Sequence, residues 1–156
     1  MELWLAPVLW AALHVVRAGM STWGGGLSDR VGRRAAIRAG WVVYGVTYVA
    51  LGLATAQWQV WALVVAYGSS SALHEGAEKA LVADIAAPEA RGRAFGLYHF
   101  TIGLCALPAS LGFGALYQYV SSRAAFVTAG ALALVAAAAL GWALGPASSR
   151  TSRTPA

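Results

Sequence analysis

Glu75, Glu78 and Lys79 fall on one face of an apolar segment, and His14 and Arg17 fall one helical turn apart on another, with Ser21 beside them. Side chains of these types can exchange ion-pair partners, carry a proton or face a polar solute. An ionisable group held at membrane depth costs roughly 2.5–3.5 kcal/mol on insertion scales, so each of them needs a reason to be there. Other chemistry finds no support. The single cysteine, Cys105, can make no intrachain disulfide, and the 3 histidines, His14, His74 and His99, lack metal-ligand spacing. The sequence contains no phosphate-binding glycine loop with its lysine, no nucleophile elbow and no paired catalytic acids. The expectation is a non-enzymatic chain with no cofactor and no metal.

The elements that must position these groups are helices in lipid. Hydrophobic residues make up 59% of the 156 residues and charged residues 11%, and the mean hydropathy of +0.62 is too apolar for a soluble domain of this length. A hydrocarbon core of about 30 Å needs about 20 helical residues to cross it. Five stretches qualify, roughly 3–23, 35–55, 58–82, 93–117 and 124–145, which predicts an all-α polytopic membrane protein with about five transmembrane helices. Gly24 to Gly26 is expected to end the first, Gln57 to start the third and Pro88 to follow it. Residues 147–156, rich in Ser and Thr, read as a disordered cytoplasmic tail.

The net charge of +5 does not require nucleic acid as a partner, because position explains it. Arg30, Arg33, Arg34 and Arg38 follow the first segment, Arg91 and Arg93 the third, and Arg150 and Arg153 the fifth, all on one side of an alternating topology. The opposite side has Arg123 alone. The positive-inside rule then puts the N-terminus outside and the C-terminus in the cytoplasm, with the lipid bilayer as the partner. A signal peptide is disfavoured, since the chain begins Met-Glu and its basic residues come after the first apolar run.

Gly25-Gly26-Leu27-Ser28-Asp29-Arg30-Val31-Gly32-Arg33-Arg34 is a charged tight turn between two such segments. Its glycines can take backbone conformations closed to other residues, and its arginines can bridge carboxylates or lipid phosphates. It resembles the signature loop of the major facilitator superfamily, Gly-x-Leu-(Ala/Ser)-Asp-Arg-x-Gly-Arg-(Arg/Lys), at Gly25, Leu27, Ser28, Asp29, Arg30, Gly32, Arg33 and Arg34. Pro88-Glu89-Ala90-Arg91-Gly92-Arg93-Ala94-Phe95-Gly96 is similar to the cytoplasmic connection after that family's fourth and tenth helices. The stretch Ala72 to Lys79 lacks the Arg-x-x-x-Gln-Gly pattern of many proton-coupled members. The resemblance therefore implies the C-terminal half, helices eight to twelve, with residues 1–146 as a partial, apparently truncated facilitator domain. It further implies secondary transport of a small-molecule substrate across a plasma membrane, the inner membrane in a bacterium. The substrate path would lie between two six-helix halves, so an N-terminal half or a partner chain is expected. A truncated or accessory membrane protein without transport of its own is the alternative.

Within that frame Glu75 and Glu78 are expected to hold an inner gate by bridging to Arg30, Arg33 or Arg34, a relay the resemblance implies for Asp29 and its arginines. Glu75 and Lys79 have the spacing of an i,i+4 ion pair. Arg17 either lines the solute path with His14 or snorkels to the headgroups. Glu75, His14 and His99 are eligible for proton coupling, while His74 and Asp84 read as interfacial. Small residues four apart mark helix contacts at Ala125, Ala129, Ala133, Ala137, Gly141 and Gly145, at Ala62, Ala66 and Ser70, and at Gly92 with Gly96. Pro108 is expected to kink the fourth helix.

Overall fold

In the computed structural model, which describes residues 5–143, five helices account for nearly all of the chain: α1 (Leu5–Val31), α2 (Arg33–Leu53), α3 (Gln57–Ile85), α4 (Arg91–Tyr119) and α5 (Ser122–Ala143). The described residues contain no strand. The tail 147–156 and Gly145 lie outside them.

The charged turn is tighter than its sequence suggests. Gly24, Gly25 and Gly26 do not end α1, which runs on to Val31, and Gly32 alone separates it from α2. Gly32 has φ +90°, the one positive φ among the described residues, in the left-handed region that favours glycine. Its N–H donates to the Ser28 carbonyl at 3.0 Å and its carbonyl accepts from Ala36 N–H at 3.1 Å, so Gly32 closes α1 and opens α2 through its own backbone. The glycine triplet stays helical for a related reason: near lipid, an interrupted helix would strand backbone groups without water to satisfy them.

The other connections are short as well. Gln59 Oε1 accepts from the N–H groups of Thr55 and Ala56 at 2.8 and 2.9 Å, which closes the turn into α3. A 3-10 turn, Pro88–Ala90, leads into α4, and Ser121 Oγ accepts from Ala124 N–H at 3.0 Å at the start of α5.

Three of the helices, α2, α4 and α5, are long and apolar enough to cross a membrane by composition. α1 and α3, with 27 and 29 residues, are also long enough, but polar side chains dilute their apolarity. These two pack against each other, and Arg17 of α1 meets Glu75 of α3 across the contact. At 1.5 Å per residue α1, α3 and α4 span about 40–44 Å, against about 32 Å for α2 and α5. The three longer helices therefore overhang a hydrocarbon core of about 30 Å by roughly 10 Å.

α2 holds the bundle together, packed on α3 on one side and α5 on the other, with α1 completing the row against α3. Helices in lipid associate by close backbone approach rather than by hydrophobic driving force. The contacts follow that rule. A Cβ placed on Gly130 of α5 would lie 2.6 Å from the Gly45 carbonyl oxygen and 2.8 Å from the Val49 nitrogen of α2, and one on Gly24 would overlap the Ala72 backbone of α3. Ala125 and Ala137 of the expected α5 ridge are buried, as is Ser70 of the α3 ridge. A small apolar core of Ala36, Ile37 and Ala77 is covered by Trp41, Leu81 and Leu140.

α4 is the outlier. It has no buried residue, and Gly92 and Gly96 face open space instead of forming the expected contact. Pro108 lies within an α4 that continues from Arg91 to Tyr119.

Candidate functional site

The α1–α3 contact holds an ion pair. Arg17 Nη2 donates to both carboxylate oxygens of Glu75, at 2.5 and 2.6 Å, joining residues 58 apart in the chain. The polar stripe and the charged face expected separately on two helices are thus one site. Glu75 pairs with Arg17 across the interface rather than with Lys79 on its own helix, and Lys79 is exposed. Two turns along α3 from Glu75, Tyr67 meets Tyr44 and Tyr48 of α2, with ring centroids 5.7 and 5.8 Å away. Tyr44 and Tyr48 stack at 4.4 Å. The three phenol rings thus pack as one cluster where α2 meets α3, about 12 Å along α3 from Glu75.

His14 is exposed and stands edge-on to Trp10, with centroids 4.9 Å apart, one turn from Arg17 on α1. His99 on α4 is exposed, edge-on to Tyr98 with centroids 5.0 Å apart.

Glu78 occupies a second polar node. Its carboxylate accepts from Trp41 Nε1–H of α2 at 2.9 Å and from Tyr98 O–H of α4 at 2.7 Å. Two neutral donors from two helices satisfy it, so α2, α3 and α4 meet at one side chain.

The charged turn forms a third. Arg33 donates from Nη1 to Asp29 at 3.1 Å, one helical turn away around Gly32, and from Nε to Asp84 near the end of α3. The expected bridge from the turn to α3 is present, but its carboxylate is Asp84 and not Glu75 or Glu78. The reason is axial: Asp84 lies six residues, about 9 Å, nearer the end of α3 than Glu78. Arg30, Arg34 and Arg91 are exposed, and Gly25 is half-buried within α1. Ser28 is 1% exposed, with its hydroxyl unpaired among the described residues.

The profile of the Major Facilitator Superfamily matches residues 8–156, nearly all of the sequence. The chain belongs to this superfamily. An MFS-type transporter of Methanocaldococcus jannaschii is 34% identical over 109 residues, which cover 70% of the present chain and 27% of the relative. The multidrug resistance protein MdtH of Shigella flexneri and that of Escherichia coli O1:K1 are each 28% identical over 155 residues, covering 97% of the chain and 38% of the relative. The facilitator chain thus spans between a quarter and two-fifths of the length of these curated relatives. With the apolar helices, membership makes it a multi-pass membrane protein.

As a facilitator it carries its signature turn as a three-residue link, Asp29–Arg33–Asp84, that ties the α1–α2 reversal to α3. Sequence reasoning missed Trp41 and Tyr98 as partners of Glu78. The signal was there: an aromatic N–H and an O–H on apolar helices need an acceptor when they are taken out of water. No metal-ligating cluster occurs among the described residues.

Proposed function

We propose that this chain forms the C-terminal half, helices eight to twelve, of a carrier that moves a small solute by secondary transport, with Arg17 and Glu75 on the wall of the solute path. The observation that carries the reading is the Arg17–Glu75 pair. Placing two ionisable groups within helices of membrane-spanning length is costly, and such residues are retained where they face a water-filled path or exchange partners. Both side chains keep about a third of their surface open, which leaves them accessible to a solute or to an opposing wall. In alternating access one half rocks against the other, and an N-terminal half or a partner chain supplies that other wall. Glu75, His14 and His99 are the coupling candidates, with Glu75 the one already held in an ion pair. Asp29, Arg33 and Asp84 form the inner gate, with Glu78 and its two donors behind it. The charged turn faces the cytoplasm and the N-terminus lies outside, in a plasma membrane that is the inner membrane of a bacterium.

The MdtH relatives are named for multidrug resistance, so a growth-inhibitory organic solute is the substrate class to try first. The chain is expressed in an efflux-deficient bacterial host, with and without the coding region upstream of Met1, and accumulation of a fluorescent cationic dye is followed. Reduced accumulation that needs the upstream region and is lost in Glu75→Gln and Arg17→Gln supports a half-carrier. Reduced accumulation that is indifferent to both substitutions removes the pair from the path. No transport by either form, across a panel of such solutes, favours an accessory membrane protein.

A further inference from the structure

Two grooves adjoin where α1 turns into α2. The first, about 500 Å³, is lined by Arg33, Arg34 and Arg38 of α2, Asp84 and Leu81 of α3 and Gly141 of α5. Asp84 is occupied by Arg33, while Arg34 and Arg38 have no carboxylate partner among the described residues. They stand one turn apart on the same face of α2. The Arg38 guanidinium lies flat against α5 where Gly141 has no side chain: a Cβ there would be 2.9 Å from Cζ and 3.0 Å from Nε and Nη1. The second groove, about 310 Å³, lies between α2, α3 and α4 and is walled by Ile37, Trp41, Val82 and Ile102. Its one carboxylate, Glu78, is already satisfied by Trp41 and Tyr98. The grooves share Arg34, Leu81 and Leu140 as a common wall.

We infer that these adjoining grooves are a binding site for one anionic phospholipid, its phosphate held by Arg34 and Arg38 and an acyl chain laid in the apolar groove. Guanidinium groups recognise phosphate through several charge-assisted N–H···O bonds, and here two of them are left over after the gate's own ion pairs are made. A free phosphate would need the arginines alone. The apolar groove beginning at the same arginine is what an amphiphile needs in addition. Trp142, next to Gly141 and 89% exposed, is of the type that settles at the headgroup boundary, which puts the arginines at phosphate level. The site asks nothing of the transport reading and stands or falls separately from it.

The test is native mass spectrometry of the purified full chain in detergent, titrated with phosphatidylglycerol, phosphatidylcholine or inorganic phosphate. Phosphatidylglycerol is expected to be retained over phosphatidylcholine, and Arg34→Gln with Arg38→Gln to weaken it roughly 30-fold. Ile102→Trp, which fills the apolar groove from an exposed position on α4, is expected to weaken phosphatidylglycerol as well, and Gly141→Ala to do so by displacing Arg38 without altering charge. Arg93→Gln, outside both grooves, leaves retention unchanged. Helical circular dichroism identifies any variant that fails to fold. If the arginine pair is lost that way, Ile102→Trp and Gly141→Ala decide, and wild-type retention in both overturns the site. Wild-type retention in the folded arginine variant also overturns it. Displacement of the lipid by inorganic phosphate, with Ile102→Trp inert, makes it a free-anion site and overturns the lipid assignment.

Discussion

Replacing either member of the Arg17–Glu75 pair leaves its partner charged and alone within a helix of membrane-spanning length. An exposed ion pair contributes about 0.2–1 kcal/mol, whereas breaking a buried one from one side costs about 3–5 kcal/mol. The two side chains are 31% and 39% exposed, which puts them between these limits. Arg17 Nη2 serves both carboxylate oxygens from a single nitrogen, a weaker geometry than a two-nitrogen fork. About 2 kcal/mol of destabilisation is therefore expected for Arg17→Gln and for Glu75→Gln. The double variant removes both charges and leaves two amides able to bond each other, so it should be no less stable than either single. The implied coupling is about 2 kcal/mol, large beside the roughly 0.6 kcal/mol average for hydrogen bonds between membrane helices. A double-mutant cycle, read by helical circular dichroism during reversible unfolding in mixed micelles of increasing SDS content, measures it. If the double variant loses the sum of the two singles to within about 0.5 kcal/mol, the two residues act independently and the pair is no lock.

Gly130→Ala should drive α2 and α5 apart, because the new methyl meets backbone at 2.6 Å rather than a side chain that can swing away; a loss of about 1–3 kcal/mol in the same unfolding assay is expected. Asp84→Asn should loosen the α2–α3 link and speed proteolysis near the charged turn, with Lys79→Gln, at an exposed position on α3, leaving that cleavage rate unchanged. In a Cys105→Ser background, Gln57→Cys should react with a membrane-impermeant maleimide added outside whole cells and Glu89→Cys should not. The opposite pattern would reverse the proposed orientation.

Much of this was legible in the sequence, and the parts that were not have a common cause. The signature turn is local, so its ten residues carried the family by themselves, and the apolar segments carried the helices. Both Arg17 and Glu75 stood out one at a time, since an ion in an apolar run is conspicuous. Their pairing did not, because it depends on which helix packs beside which. The same limit explains why Arg33 was matched with the wrong carboxylates: Glu78 and Asp84 differ by six residues on α3, and only the axial register of α3 against the turn selects Asp84. Gly92 and Gly96 failed in the opposite way. Spacing by four is necessary for close helix approach but supplies no neighbour, and α4 has none there. The glycine triplet in α1 misled because propensity learned in water counts for less where an interrupted helix has nothing to bond.

The overhang of α1, α3 and α4 makes the charged rim a set of lever arms. Asp29 and Arg30 sit at the tip of α1, Asp84 at the tip of α3 and Arg91 and Arg93 at the first turn of α4, all on regular helix. A helix about 40 Å long that tilts by about 10° about its far end carries its tip through about 7 Å, more than enough to part an ion pair. With Gly32 alone between α1 and α2, a small rotation at the far ends of these helices would, in the proposed carrier, reach the rim as the making or breaking of the Arg33–Asp84 contact, without any loop having to change shape.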